Sequence, residues 1–358
     1  MTKQKKVWKS VALEDSNRSA TDKIREVLLA VAKGQHPAID DARELYDLLA
    51  GQFEKIEALK EDREILEMFA WYLNCNAFFE IPESEEELAT AVEELFADAV
   101  AFFAEKAKNF GDREYVINLM HDLMVNSVGE DPRTELILSA HDFLSSEELQ
   151  KLANDVLTTV QSHDLENENE IYMGLMDLAD GANDPQLYEK AAFLYDPDRS
   201  NKTNIDVANA YYIAEDISNA NRLLSEVKNP TGSDEEEFLD LKIGILFKEE
   251  KKKDALELAE QLYEKFPKEY HLMSLCQVVS EKRKEELLDA HEKFRLNDSV
   301  NPDYVNMLAT MNEFDRLSKY LDAKASGIRK MDGQVREELA GRLESLNRKD
   351  LAKKFRKI

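Results

Sequence analysis

Apolar residues recur every three or four positions along most of the chain, which is the spacing of a helix with one buried face. The pattern is clearest in Phe238–Pro267, FLDLKIGILFKEEKKKDALELAEQLYEKFP, which reads as two amphipathic helices joined by a charged turn. Neither helix could bury its apolar face alone, and the flanking sequence repeats the arrangement. The pattern therefore predicts an all-α fold, built as a stack of antiparallel helical hairpins.

Short polar motifs predict where the helices begin and end. The capping-box spacing, in which Ser is followed by Glu three positions later, occurs at Ser84–Glu87, Ser145–Glu148 and Ser233–Glu236. An Asp cap followed by Pro in the first helical turn occurs at Asp131–Pro132 and Asp184–Pro185. Glycine is favoured just after the last helical residue, so Gly51 and Gly181 are expected to mark helix ends.

These elements divide the chain into four predicted parts. Residues 1–18 carry four lysines before the first acid and are expected to form a flexible basic tail. The remaining parts are an N-terminal domain of irregular helical hairpins (19–182), a region of helical repeats (183–296) and a set of capping helices (297–358).

Small residues recur at equivalent places in the second helices of successive hairpins. Ala220, Ala255 and Ala290 are spaced 35 residues apart, a period typical of helix-turn-helix arrays. A small side chain there lets the two helices of a hairpin approach closely. All three alanines are therefore expected to lie between paired helices.

This part of the chain resembles the tetratricopeptide repeat family. In KKDALELAEQLYEKFP the resemblance rests on Ala255, Ala259 and Pro267. The first helix departs from the family pattern, because it has Leu239 and then Lys242–Ile243 where the family prefers an aromatic residue and a Leu-Gly pair. One repeat follows the pattern well, and its two neighbours are degenerate.

The resemblance covers residues 205–294 and implies a right-handed α-solenoid, tetratricopeptide-like in the C-terminal half, that binds peptides or protein surfaces in a groove. Four exposed polar residues are predicted to line that groove: Asn204, Asn209, Tyr212 and Lys242. Asparagine suits this role because its side-chain amide both donates and accepts, as a peptide backbone does. The alternative interpretation is that all four are ordinary solvated side chains.

The charge balance narrows the choice of partner. The chain holds 74 acidic and 47 basic residues, a net charge of −27. This argues against general binding to nucleic-acid phosphates, which requires clustered cations, and favours a basic protein or peptide. The simpler alternative is that the acids only solvate helix surfaces.

The two cysteines and the termini bear on the cellular setting. Cys75 and Cys276 lie in apolar helical contexts and are expected to be reduced core residues, as are the aromatic residues around Trp71 and Tyr72. The sequence shows no apolar secretory signal and no apolar run long enough to cross a bilayer. A cytoplasmic protein without a membrane partner is therefore expected.

One sequence pattern suggests metal chemistry. The dipeptide His-Asp occurs at His121–Asp122, His141–Asp142 and His163–Asp164, and all-helical metal-dependent phosphohydrolases use such pairs with other ligands to activate water. In the alternative interpretation, His121 and His141 lie at the edge of an apolar helix face. No Gly-rich phosphate loop, HExxH or GxSxG motif is present, and no cofactor is predicted.

Three functional hypotheses follow from these patterns. The favoured one is a non-enzymatic interaction or scaffold protein that binds another protein through a helix-lined groove. The first alternative is a metal-dependent phosphohydrolase that uses the His-Asp pairs. The second is an acidic decoy that occupies the basic cleft of a nucleic-acid-binding protein.

Overall fold

The structure, a computed structural model, describes residues 18–75, 81, 85–126, 132–163, 165–296 and 299–356. Within these ranges it forms twenty α-helices and no β-strand, which confirms the all-α prediction. None of the described helices is both long and apolar enough to span a bilayer. The basic segment before Arg18, the capping motif at Ser84 and the predicted cap Asp131 lie outside the described residues.

The chain divides into two compact units, Met1–Val227 (unit 1) and Lys228–Ile358 (unit 2). The described helices of unit 1 are α1 (Arg18–Ala32), α2 (Ala42–Glu57), α3 (Asp62–Leu73), α4 (Glu86–Asn109), α5 (Arg113–Val125), α6 (Pro132–Leu138), α7 (Ser146–Ser162), α8 (Glu168–Ala182), α9 (Pro185–Tyr195), α10 (Asn201–Ile213) and α11 (Ile217–Leu224). Short 3-10 turns cover Pro37–Asp40 and Ser139–Asp142.

Those of unit 2 are α12 (Ser233–Lys248), α13 (Lys252–Lys265), α14 (Glu269–Cys276), α15 (Glu281–Arg295), α16 (Pro302–Thr310), α17 (Phe314–Ala323), α18 (Ala325–Ile328), α19 (Gly333–Ser345) and α20 (Lys349–Arg356). The division between the units falls inside the predicted repeat region, 183–296. Consecutive helices pack on each other in both units, for example α10 on α11 and α12 on α13.

Aromatic side chains fill much of the core of unit 1. Phe53 contacts Phe69 edge to face, with ring centroids 5.2 Å apart, and Tyr72 packs on Phe96 at the same centroid distance. Trp71 and Tyr72 are 5% and 0% exposed, which confirms that the aromatic stripe is core. Both cysteines are buried thiols that form no disulfide, also as predicted.

Helix-start signals that depend only on neighbouring residues are mostly confirmed. Ser145 accepts from the Glu148 N–H and the Glu148 carboxylate accepts from the Ser145 N–H, at 3.3 and 2.7 Å, which is the capping box predicted for α7. The box at Ser233 does not form, because Gly232 is the cap of α12 and Glu236 pairs elsewhere. Gly51 is also not at a helix end: it lies inside α2.

Glu236 is the centre of a partly buried polar cluster in unit 2. Its carboxylate accepts from Lys268 Nζ at 2.7 Å and from the Tyr270 hydroxyl. The Nε2 of His271, a residue only 3% exposed, lies 2.9 Å from Glu236 Oε1. Because these partners belong to α14 or its cap, one carboxylate from the first turn of α12 fixes the two helices together.

We expect Glu236→Gln to destabilise unit 2 by about 2 kcal/mol near pH 6, since an ionised acceptor of charged hydrogen bonds is lost. Burial raises the pKa of Glu236, but the hydrogen bonds from Lys268, Tyr270 and His271 outweigh it and lower the pKa from 4.5 to about 2. The stabilisation is therefore present above about pH 4.5 and is lost as the pH falls towards 2. Hydrogen exchange of α12 and α14 measures it.

Measurement at two pH values distinguishes a Glu236 carboxylate that acts as an ionised hydrogen-bond acceptor from a Glu236 side chain that only packs. The difference between Glu236→Gln and the wild type should shrink strongly at acidic pH, because the wild-type carboxylate is then itself protonated. Glu264→Gln, which removes an exposed acid of α13, is the control. It should leave the stability of unit 2 unchanged both near pH 6 and at acidic pH. An equal penalty for Glu236→Gln at both pH values would contradict the assignment.

The predicted 35-residue register holds for two positions and fails at the third. Ala220 in α11 and Ala255 in α13 are fully buried, whereas Ala290 in α15 is exposed. The buried face of α15 carries His291 instead, whose Nε2 lies 3.3 Å from Glu269 Oε1 on α14. This contact, together with the adjacent apolar residues, turns Ala290 away from the preceding helices.

Candidate functional site

The tight turn between α8 and α9 is the structural centre of the candidate site. Asn183 ends α8 in the left-handed region with φ 51°, a conformation that Asn tolerates better than most residues. Asp184 then caps α9, accepting from the Leu187 N–H at 3.1 Å, and Pro185 occupies the first helical turn. The predicted Asp-Pro helix start is confirmed. Surface depressions lie on both sides of this turn.

The larger depression, which we name the α7–α9 groove, has a volume of about 560 Å³. Helix α7 contributes one continuous stripe of residues to it: Ser146, Leu149, Gln150, Ala153, Asn154 and Leu157. The opposite wall comes from the end of α8, the turn and α9: Ala182, Asn183, Asp184, Gln186, Leu187 and Lys190.

The groove has an apolar floor and an amide-bearing rim. Leu149, Ala153 and Leu157 are 7%, 3% and 3% exposed, so their side chains form the floor. Gln150 and Asn154 on α7 are exposed, as is Gln186 on α9. The groove therefore offers apolar contact below and side-chain amides above, with the exposed cation Lys190 on the α9 wall.

The smaller depression, the α9–α10 depression, has a volume of about 200 Å³. One face of α10 lines it with Asp206, Asn209, Ala210 and Ile213, facing Asp180 of α8 and Tyr188 of α9. Asn183 and Asp184 line both depressions, so the two adjoin at the turn. Ile213 is 62% exposed and forms an apolar lip.

Carboxylates give the α9–α10 depression a negative potential. Burial, with the neighbouring charge of Asp206, raises the pKa of Asp180. Burial and the charge of Asp180 raise the pKa of Asp177 to about 6. Burial, and after it the negative charges of Asp206 and Asp180, raise the pKa of Tyr188 to about 12. Lys202 offsets part of this charge, since its Nζ lies 2.7 Å from Asp206 Oδ1.

The four predicted partner-binding residues lie in different surroundings. Asn209 lines the α9–α10 depression. Asn204 was expected to be exposed but is 3% exposed, because its Nδ2 donates to the carbonyls of Arg199 and Ser200 at the start of α10. Tyr212 is half-buried on α10 outside the lining of both depressions. Lys242 is exposed on α12 in unit 2, where its Nζ lies 5.3 Å from the Phe238 ring centroid.

The His-Asp pairs lie in separate elements, His121–Asp122 in α5 and His141–Asp142 in the second 3-10 turn, and Asp164 lies outside the described residues. His121 Nε2 lies 2.8 Å from Thr159 Oγ1, and its Nδ1 lies 3.4 Å from Asp122 Oδ1. His141 Nδ1 lies 2.9 Å from the Leu138 carbonyl oxygen, and its Nε2 is 3.6 Å from Asp142 Oδ1. In the part of the chain that the structure describes, no three His, Cys, Asp or Glu side chains are grouped as metal ligands.

No family model matches the chain, and no curated protein sequence matches it. A solved structure described as "Computational Design of Self-Assembling Cyclic Protein Homooligomers" covers 94% of this chain and 94% of its own, with 10% sequence identity and a TM-score of 0.14. A sequence identity and a TM-score this low indicate neither a shared fold nor a shared function.

Proposed function

We propose that the protein is a non-enzymatic interaction module that binds an extended segment of a partner protein in the α7–α9 groove. The observation that supports this is the combination of an apolar floor with an exposed amide rim in one groove. Its volume, about 560 Å³, lies in the range of pockets that hold ligands. Side-chain amides match a peptide backbone because both carry a donor and an acceptor.

The groove suits a short extended segment. The α7 stripe runs from Ser146 to Leu157, which at about 1.5 Å per residue corresponds to about 16 Å of helix. An extended chain advances about 3.3 Å per residue, so roughly five residues would lie alongside α7. Alternate side chains of such a segment would face the leucine floor, while its backbone would face Gln150 and Asn154.

The proposal includes a finer description of the fold. Within each unit we infer antiparallel helical hairpins that stack as a right-handed α-solenoid, tetratricopeptide-like in the C-terminal half. The packing of consecutive helices and the fully buried Ala220 and Ala255 support it. A groove formed by neighbouring hairpins is what such stacking would produce at α7–α9.

Selection of displayed random peptides on the immobilised 358-residue chain tests the function. We expect enriched peptides to bind the wild type, and Asn154→Tyr to weaken their binding at least about tenfold, a loss of about 1.4 kcal/mol. The exposed tyrosine places neutral bulk at the rim and leaves the buried floor unchanged. Fluorescence polarisation with labelled peptides gives the dissociation constants.

Thr158→Tyr supplies the matched control, since Thr158 is an exposed residue of α7 outside the groove lining. It should leave peptide affinity unchanged. The proposal would be abandoned if no peptide were enriched, or if Asn154→Tyr and Thr158→Tyr bound the enriched peptides as well as the wild type does.

A further inference from the structure

We infer that the bound segment carries a lysine or arginine whose side chain enters the α9–α10 depression while neighbouring residues occupy the α7–α9 groove. This inference rests on the proposed function and specifies the chemistry of the partner. The two depressions share Asn183 and Asp184. A segment that leaves the groove across this turn therefore passes directly over the acidic depression.

Charge complementarity selects a cation as the occupant. Asp180 and Asp206 line the depression from α8 and α10. Asp177 lies close enough to Asp180 for the charge of Asp180 to raise its pKa. The cation near them, Lys202, is paired with Asp206 and is itself half-exposed, so it neutralises only part of the charge. Asp184 is engaged with the α9 N-terminus through Leu187 N–H and contributes less to the depression.

The shape of the depression suits a long side chain with a charged end. Ala179, Ala210 and the exposed Ile213 provide apolar surface beside the carboxylates. Lys and Arg place aliphatic stems against apolar surface and extend their charge beyond it. Tyr188 and Asn209 add a hydroxyl and an amide that can accept hydrogen bonds from an ammonium or guanidinium group.

The raised carboxyl pKa values support the same occupant. Asp177 and Asp180 are held partly desolvated beside other carboxylates, which disfavours their ionised forms in the unoccupied protein. A bound cation would relieve this repulsion and lower both pKa values. The protein would then gain more from an Arg or Lys side chain than from a neutral one of the same size.

The test uses the peptides enriched on the 358-residue chain. We expect their sequences to contain Lys or Arg next to apolar residues, and we expect Asp180→Asn/Asp206→Asn to weaken binding about tenfold or more. Replacing the basic residue of the peptide by Gln should produce the same loss in the wild type and little further loss in the double variant. Thermal unfolding checks that both proteins remain folded.

Asp155→Asn/Asp198→Asn is the control, because both residues are exposed, both lie outside the two linings, and the net charge changes equally. It should retain full affinity. Peptides that bind Asn154→Tyr more weakly than the wild type require the groove. If such peptides lack a basic residue, or bind Asp180→Asn/Asp206→Asn as tightly as the wild type, this inference is overturned and the proposed function stands.

Other occupants give distinct results in the same experiment. The first nine residues of the chain contain four lysines and a tryptophan. If peptides bound only after those lysines were changed to Ser, the chain's own N-terminal segment would be the occupant, which would overturn a partner segment. A concentration-dependent dimer abolished by Asp180→Asn/Asp206→Asn would likewise indicate a second copy and overturn it.

Discussion

Gly181→Ala is expected to destabilise unit 1 by at least about 3 kcal/mol, the upper range for overpacking, because the clash is with backbone. A Cβ on Gly181 would lie 2.0 Å from the Leu138 carbonyl oxygen and 2.9 Å from its carbonyl carbon. The Nδ1 of His141 would lie 3.2 Å away on the same side. Relief of the clash requires α8 to move away from the end of α6 at Leu138. Urea unfolding followed by the fluorescence of Trp71, which is buried in unit 1, measures the loss.

Gly174→Ala in the same helix is the matched control. A Cβ there would lie 3.6 Å from Ile137 Cδ1 and 3.9 Å from Met124 Cε, which are ordinary contacts. The substitution should stabilise the protein by up to about 1 kcal/mol, because Ala favours a helix interior over Gly. Similar effects of the two substitutions would show that helix propensity, and not close approach, governs Gly181.

The displacement caused by Gly181→Ala should also reach the candidate site. Ala182, Asn183 and Asp184 follow Gly181 directly and line the α7–α9 groove. A variant that remains folded would therefore bind the enriched peptides more weakly, although Gly181 itself does not line either depression. The close contact with Leu138 thus connects core packing to the geometry of the turn.

The different outcomes for Gly181 and the Ser145 capping box show which features a sequence predicts. The Ser145–Glu148 hydrogen bonds join residues three positions apart, so neighbouring residues determine them. Gly181 was expected to end a helix, and it is the penultimate residue of α8, but its close contact with Leu138 of α6, which is remote in sequence, was not predicted. Local composition indicates a glycine near a helix end but not the contact that this glycine makes with another helix.

The candidate site was predicted only in small part for the same reason. Asn209 was predicted as one of the exposed polar residues on α10. The α7–α9 groove was not predicted, because it depends on α7 and α9 both packing near the end of α8. A signal did exist in α7: Gln150 and Asn154 stand four residues apart, beside Leu149 and Leu157 of the apolar face. Periodicity alone assigns such amides to solvent, and only the position of α9 turns them into the rim of a groove.

Arg133 is the second residue for which a large effect is expected. Arg133→Met should cost unit 1 about 3 kcal/mol, because hydrogen bonds from a charged donor are lost and two buried oxygens are left without that donor. Arg133 is fully buried in the first turn of α6, and its Nη1 donates to Asn74 Oδ1 at 3.0 Å and to the Asn126 carbonyl oxygen at 2.9 Å. Asn74 and Asn126 are the C-caps of α3 and α5, so the guanidinium lies where two helix C-termini favour a positive charge.

Methionine retains most of the volume of Arg133, so the expected loss reflects the missing donors and charge more than a cavity. The Asn74 and Asn126 oxygens would lose their bonds to Arg133 in a site from which water is excluded, which costs more than losing a solvated hydrogen bond. Arg43→Met is the control, because Arg43 forms an exposed pair with Asp47 of the same helix, worth at most a few tenths of a kcal/mol. Urea unfolding followed by tryptophan fluorescence should therefore separate the two variants widely. Equal midpoints would mean that the ends of α3, α5 and α6 are held together by apolar packing alone.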